Sequence, residues 1–246
     1  MKVSIITVCL NSQDTIEETI SSVNKQKYDD IEHIFIDGGS TDKTIDLIKS
    51  NAKNFTILLK EPTGIYPAMN EGIKESSGDV ISFLNADDVF SCDFIIKNAT
   101  SYLLNKNKDV VYSSVKFLNK SNKVVRVIKD TKFRPYMFSL GLMPPQPGAF
   151  FSKSAIESCG FFDESFKLAG DFDYFIRLYK ELGHSKIDYY GCWSVLMKVG
   201  GASNRNFKSN IRNTEEMYSS LKKNNFFASR VILWFRLVIK TFSLRF

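Results

Sequence analysis

The feature that most constrains this chain is the alternation of strand and helix in its first ninety residues. Val3 to Leu10, His33 to Ile36, Phe55 to Leu59 and Val80 to Leu84 read as short apolar strands. Helical stretches separate them. Ile16, Ile20 and Val23 share one face, as do Ile45 and Ile48, and Met69 and Ile73 within a helix expected over 66–76. Four such alternations imply crossover connections and a mainly parallel sheet with helices on both faces. At 246 residues the chain is long enough for one large α/β domain, or for a domain with a tail.

In open α/β sheets ligands collect beyond the carboxyl ends of the strands, so the residues ending each strand carry the functional reading. The fourth strand runs into Asn85-Ala86-Asp87-Asp88. Two adjacent acids there are costly unless they meet something positive, and hard oxygen ligands suit magnesium or manganese. The alternative is an acidic turn ahead of the next helix, expected over 91–104. The second strand ends in Asp37-Gly38-Gly39-Ser40, and the first in Asn11-Ser12. Neither a Gly-x-Gly-x-x-Gly after the first strand nor a Gly-x-x-x-x-Gly-Lys-Ser/Thr occurs, which argues against a dinucleotide-binding dehydrogenase and a P-loop protein.

Downstream, 110–117 and 123–128 read as paired strands around Asn119 to Asn122, and Met143 to Gly148 as an extended, proline-rich loop. Ala169-Gly170-Asp171-Phe172-Asp173 opens a helix running to about Leu182. Strands are expected at 187–190 and 195–199, then a glycine-rich loop at Gly200 to Ser203. The cysteines Cys9, Cys92, Cys159 and Cys192 are widely spaced, so reduced thiols are expected instead of a zinc site or disulfide framework. The start lacks a basic, apolar and cleavage-site succession, so no signal peptide is expected.

Taken together, these motifs resemble a family 2 glycosyltransferase. The resemblance rests on the stretch from Val3 to Asn11, Asp37 to Asp42, Gly64-Ile65-Tyr66-Pro67-Ala68-Met69-Asn70, Gly78 to Asp88, and Gly170 to Asp173. It covers roughly residues 1–203 and is nearest to bacterial enzymes building O-antigen and other surface polysaccharides. It implies a GT-A (Rossmann-like) fold, a UDP-sugar donor, magnesium or manganese, and inversion at the anomeric carbon. It also implies roles. Asp171 would be the catalytic base, or else only cap its helix. Asp87 would hold the metal. Thr7, Asn11, Asp37, Gly39, Ala68, Asn70, Asn85, Ala86 and Asp88 would line the donor nucleotide and sugar. Four positions depart from the family pattern: Asn85 replaces the first acid of Asp-x-Asp, Gly170 stands where an acid often precedes the base, Pro67 where many relatives have Asp, and Pro145 where many have His. Gln146 is a donor or acceptor contact or a plain loop residue, and Gly200 to Ser203 resembles a loop that closes over the nucleotide. His33 and His184 are expected to be structural.

The division expected from sequence is a glycosyltransferase domain over 1–204, with a nucleotide-sugar half (1–118) and an acceptor half (119–204), then a basic tail over 205–246. That tail has nine Lys/Arg against two Glu, while the rest of the chain is close to neutral. Phe226 to Phe246 is apolar but interrupted by Arg230, Arg236, Lys240 and Arg245, too broken to span a bilayer. It suits a helix lying in the headgroup layer, or one docked on the body or a partner. Because the resemblance implies a polyprenyl-diphosphate-linked saccharide acceptor, the expected location is cytoplasmic, peripheral on the inner face of the cell membrane. Nucleic acid is not an expected partner, since no recognition motif accompanies the basic residues. Two rivals remain: a polyprenyl-phosphate sugar synthase and a non-catalytic nucleotide-sugar-binding protein.

Overall fold

The computed structural model describes residues 1–119, 121–128, 132–198 and 207–242. Its first half follows the expected rhythm: β1 (Val3–Cys9), α1 (Ile16–Asn24), β2 (Ile31–Asp37), α2 (Thr44–Asn51), β3 (Phe55–Leu59), α3 (Ile65–Glu75) and β4 (Val80–Phe83). After these come β5 (Asp88–Phe90), α4 (Ile95–Lys106), β6 (Val110–Leu118), β7 (Val124–Ile128), β8 (Phe150–Ser152), α5 (Lys153–Cys159), α6 (Gly170–Leu182), β9 (Ile187–Lys198), α7 (Phe207–Lys223) and α8 (Arg230–Phe242). A 3-10 turn covers Pro135–Leu140.

The strands form one mixed sheet in the order β3-β2-β1-β4-β8-β6-β9-β5, with β7 also on β6. The β3-β2-β1-β4 segment is parallel throughout. The register aligns Cys9 with Asp37 and Asp37 with Leu59, so these strands end along one edge. Leu84 continues beside β1 through its N–H to the Ile6 carbonyl, which brings Asn85 to the same edge. Val3, Ile5, Ile34, Ile36, Val80 and Ile81 are buried, as near-continuous apolar strands covered on both faces should be.

Several details differ from the sequence expectation. The strands expected at 187–190 and 195–199 are one strand, β9, which changes register against β6 midway and carries Gly191 at φ +78. Asp88–Phe90 is a strand instead of a turn, because it finds β9 as antiparallel partner. α1 starts at Ile16 with no side-chain cap.

Nor do the last two helices form a detached tail. Met217, Leu221 and Leu233 are buried in the largest apolar cluster, alongside Phe138, Phe172 and Tyr179. Polar contacts reinforce the union. Asp173, fully buried on α6, accepts from Arg177 Nε at 2.8 Å, Ser220 Oγ at 2.9 Å and Asn224 Nδ2 at 3.0 Å. Glu216 Oε2 accepts three backbone N–H groups, from Lys167, Leu168 and Ala169, at 3.0, 2.7 and 3.0 Å. That carboxylate fixes the loop entering α6. Replacing Glu216 with Ala strands three donors and is expected to lower stability by about 2 kcal/mol in chemical denaturation.

Candidate functional site

The edge formed by the ends of β1, β2, β3 and β4 gathers most residues singled out from sequence. Two clusters stand there. The first is a polar rim made by the loops after β1 and β2. Asn11, exposed and left-handed at φ 49, accepts from Thr41 N at 2.9 Å through its side chain, while its own N–H donates to Ser40 Oγ at 2.8 Å. Gly39 is exposed at φ +87. Asp42 Oδ1 accepts from Thr44 N at 3.0 Å at the start of α2.

Four residues expected to line the donor are turned inward instead. Asp37 is fully buried; its carboxylate accepts from Gly39 N at 3.0 Å and Ser40 N at 2.7 Å, and so builds the β2–α2 turn. Thr7 is buried and donates its only hydroxyl proton to the Leu84 carbonyl at 2.7 Å. The 2.9 Å contact between Thr7 Oγ1 and His33 must then use a His33 Nε2–H. Burial keeps the ring neutral, holding the His33 pKa down to about 3. Asn70 is buried and clamps α3 to the loop before α6: its Oδ1 accepts from Phe162 N at 2.9 Å, and its Nδ2 donates to the Phe162 carbonyl at 3.0 Å and to Glu164 at 2.9 Å. Asp88 is buried, with its carboxylate accepting from Asn85 Nδ2 at 3.2 Å. Alternation along the chain explains the last case: Asp88 faces inward from β5 while Asp87 keeps part of its surface open. Ala86 is buried among Cys9, Ile16 and Phe35.

Asn85 and Asp87 therefore form the accessible part of the acidic motif. Burial, and the charge of Asp87 beside it, push the Asp88 carboxyl well above the usual range. The accessible charge at this strand end is therefore that of Asp87, which suits a cation. Among the described residues no three His, Cys, Asp or Glu side chains converge on one point. The residues present thus fit an ion held by Asp87 and completed by substrate phosphates and water, the usual manner for magnesium.

The second cluster centres on Asp171, in the first turn of α6. Its Oδ1 accepts from Tyr66 Oη at 3.2 Å and from Phe172 N at 2.8 Å. Tyr66 lies in the first turn of α3, so Asp171 sits on the same sheet edge as the loop after β3. Burial raises the Asp171 pKa to about 6; the bonds from Phe172 and Tyr66, and the nearby Arg236 charge, oppose that rise. A carboxylate poised there accepts a proton near neutral pH. Gly170 follows from the packing: a Cβ there would stand 2.7 Å from the Tyr66 ring. An acid before the base is incompatible with this position of Tyr66, which accounts for one departure from the family pattern. Tyr66→Phe removes a donor to the charged carboxylate. It should move the acidic limb of the pH–rate profile up by about one unit, with the plateau rate less affected.

Ala68 is half-buried beside this cluster on α3, while Gln146 is buried with its Nε2 unpartnered among the described residues. Gly200 to Ser203 lies outside the described residues. His184 contacts Arg134 Nη1 at 2.6 Å. Sequence reasoning had no signal for Glu216, Ser220 or Asn224, because only the fold brings them to α6.

Comparison with known proteins bears on the family and the fold. The sequence profile of glycosyl transferase family 2 matches residues 4–158. An uncharacterized glycosyltransferase of Mycobacterium tuberculosis is 33% identical over 179 residues, covering 71% of this chain and 68% of that protein. A crystal structure of S. aureus TarS 1-349 with UDP-GlcNAc superposes with a TM-score of 0.70 at 18% identity, covering 90% of this chain and 66% of that one. Mannosyltransferase PcManGT from Pyrobaculum calidifontis, in complex with GDP-Man and Mn2+, gives 0.66 at 18% identity, covering 94% and 68%. The mixed sheet is thus that of a GT-A fold, and the chain belongs to glycosyl transferase family 2.

Proposed function

We propose that the protein transfers a hexose from a UDP-sugar, UDP-glucose or UDP-galactose, to a lipid-linked saccharide in surface-polysaccharide synthesis, inverting the anomeric configuration. The observation that carries this reading is Asp171, a carboxylate with its pKa raised to about 6 on the sheet edge that also presents Asn85 and Asp87. The donor would lie along the Asn11–Gly39 rim with its diphosphate towards Asp87. A divalent ion held there, when bound, offsets charge developing on the leaving diphosphate. Asp171 takes the proton from the acceptor hydroxyl as that oxygen attacks the anomeric carbon from the opposite face. Tyr66 and the Phe172 N–H hold the carboxylate in one orientation, and Glu216 holds the loop that delivers it. The TarS and PcManGT complexes, with UDP-GlcNAc and with GDP-Man and Mn2+, support a nucleotide-sugar donor and a metal.

The acceptor being lipid-linked, we place the enzyme at the cytoplasmic face of the membrane. No helix among the described residues is long and apolar enough to cross a bilayer. Phe227, Val231 and Phe235 are exposed on and just before α8, and they are the residues we assign to membrane contact. UDP release from a panel of UDP-glucose, UDP-galactose, UDP-GlcNAc and GDP-mannose, with and without EDTA, tests the reading. Turnover of one UDP-hexose that EDTA abolishes is the expected result. No turnover of any donor in the presence of metal and a membrane extract would contradict it.

A further inference from the structure

α8 does more than close the core. Leu233 is buried against the main cluster, and the next turn brings Arg236 over Gly141, where Nη1 points to the Gly141 carbonyl at 3.4 Å. The approach is close: Gly141 has φ +72, and a Cβ there would lie 2.8 Å from the Arg236 side chain. Arg236 Nε is buried and has no hydrogen-bond partner among the described residues. Burial and the neighbouring charge of Arg126 both disfavour the Arg236 cation, while Asp171 favours it. Arg126 comes from a different element, β7, where its guanidinium lies 5.3 Å from the Phe117 ring centre. The two guanidiniums, both partly buried, are near enough for their charges to act on one another, with the Asp171 carboxylate also in range of Arg236. Buried guanidinium N–H groups without acceptors are costly, and the arrangement is stable when an anion completes it.

We propose that Arg236 and Arg126 form a phosphate-binding subsite next to Asp171, which takes the phosphate or diphosphate group of the acceptor. The proposal rests on the glycosyltransferase reading for the word acceptor, but the anion site stands on its own residues. It separates two diphosphates in one enzyme: the donor's at Asp87 and the acceptor's at the arginines. It also gives the last helix a part in binding, since a chain lacking α8 loses Arg236. The elements meeting there carry exposed apolar side chains, Tyr136, Leu140 and Leu142 on one side and Val231 and Phe235 on the other. That rim suits a phosphate carried on a lipid.

The test titrates the full chain with inorganic pyrophosphate in EDTA, so that no metal links the anion to Asp87. Saturable binding is expected, weakened about tenfold or more by R236Q and by R126Q, partly restored in R236K, and unaffected by D87A. UDP binding with magnesium should show the reverse pattern, lost in D87A and kept within about twofold in R236Q. R126Q, on β7, carries the test should R236Q loosen α8. Farnesyl diphosphate is the second probe. Tighter binding than pyrophosphate, still dependent on Arg236, identifies a lipid-linked source, and equal binding identifies a soluble phosphorylated acceptor; either supports the subsite. Pyrophosphate binding indifferent to both arginine variants overturns it, as does UDP–magnesium binding that falls as much as pyrophosphate binding in R236Q. Failure of every sugar nucleotide to turn over would defeat the proposed function while leaving the titration to stand or fall separately.

Discussion

Asp171→Asn is expected to lower kcat by about two to four orders of magnitude, the usual contribution of a positioned general base. UDP binding should be unchanged, because Asp171 faces the acceptor side and the rim formed by Asn11 and Gly39 is untouched. The same substitution should make the protein more stable at pH 7.5. The folded-state pKa of about 6 lies above the ordinary carboxylate value of 3.8, so the folded chain binds this proton more tightly than the unfolded one. The penalty of ionising Asp171 is absent below about pH 4 and fully present above about pH 6. Asn removes it, a gain of order 1 kcal/mol once solvent at its open side is counted. Loss of turnover with a higher melting temperature marks a group held for chemistry. Loss of both would assign Asp171 to the fold. In the native enzyme the rate should climb as pH rises through about 6 and level off above it, since the base must be unprotonated.

Asp87→Ala is the second large effect. Asp88 is buried behind it and bonded to Asn85, so no neighbouring carboxylate can take its place at the surface. Transfer should fall about a thousandfold or more, as expected for losing a metal's stabilisation of a leaving diphosphate. Magnesium-dependent UDP binding, measured by calorimetry, should vanish with it. Asp88→Asn should behave differently: burial and the Asp87 charge already favour its neutral form, so an uncharged amide there leaves metal binding largely intact. Equal losses from both substitutions would mean that Asp88 reaches the ion.

The parallel half of the sheet was legible because its signals are local. Apolar strands alternate with helices whose faces repeat every three or four residues, and the register then aligns Cys9, Asp37 and Leu59 at one edge without further information. The choice of Asp171, Asp87, Asn85, Asn11 and Gly39 depended on motif order, and the fold brings them to that edge or its neighbourhood. Other features were not legible, because long-range burial decides them. Thr7, Asp37, Asn70 and Asp88 carry the polar atoms a donor site wants, yet each finds an internal partner. Nothing in the spacing says which face of a strand end will be covered. For α8 the sequence left open both a helix in the headgroup layer and one docked on the body; the fold alone shows that Leu233 buries against the main cluster. β5 was missed because three residues become a strand only when β9 lies beside them.

The central claim is a single displacement, with Asp171 deprotonating the acceptor and the donor diphosphate leaving from the opposite face. The anomeric configuration of the newly formed glycoside, read by proton NMR on product made from an α-linked UDP-hexose, tests it most directly. The account predicts a β linkage, and an α linkage would contradict it.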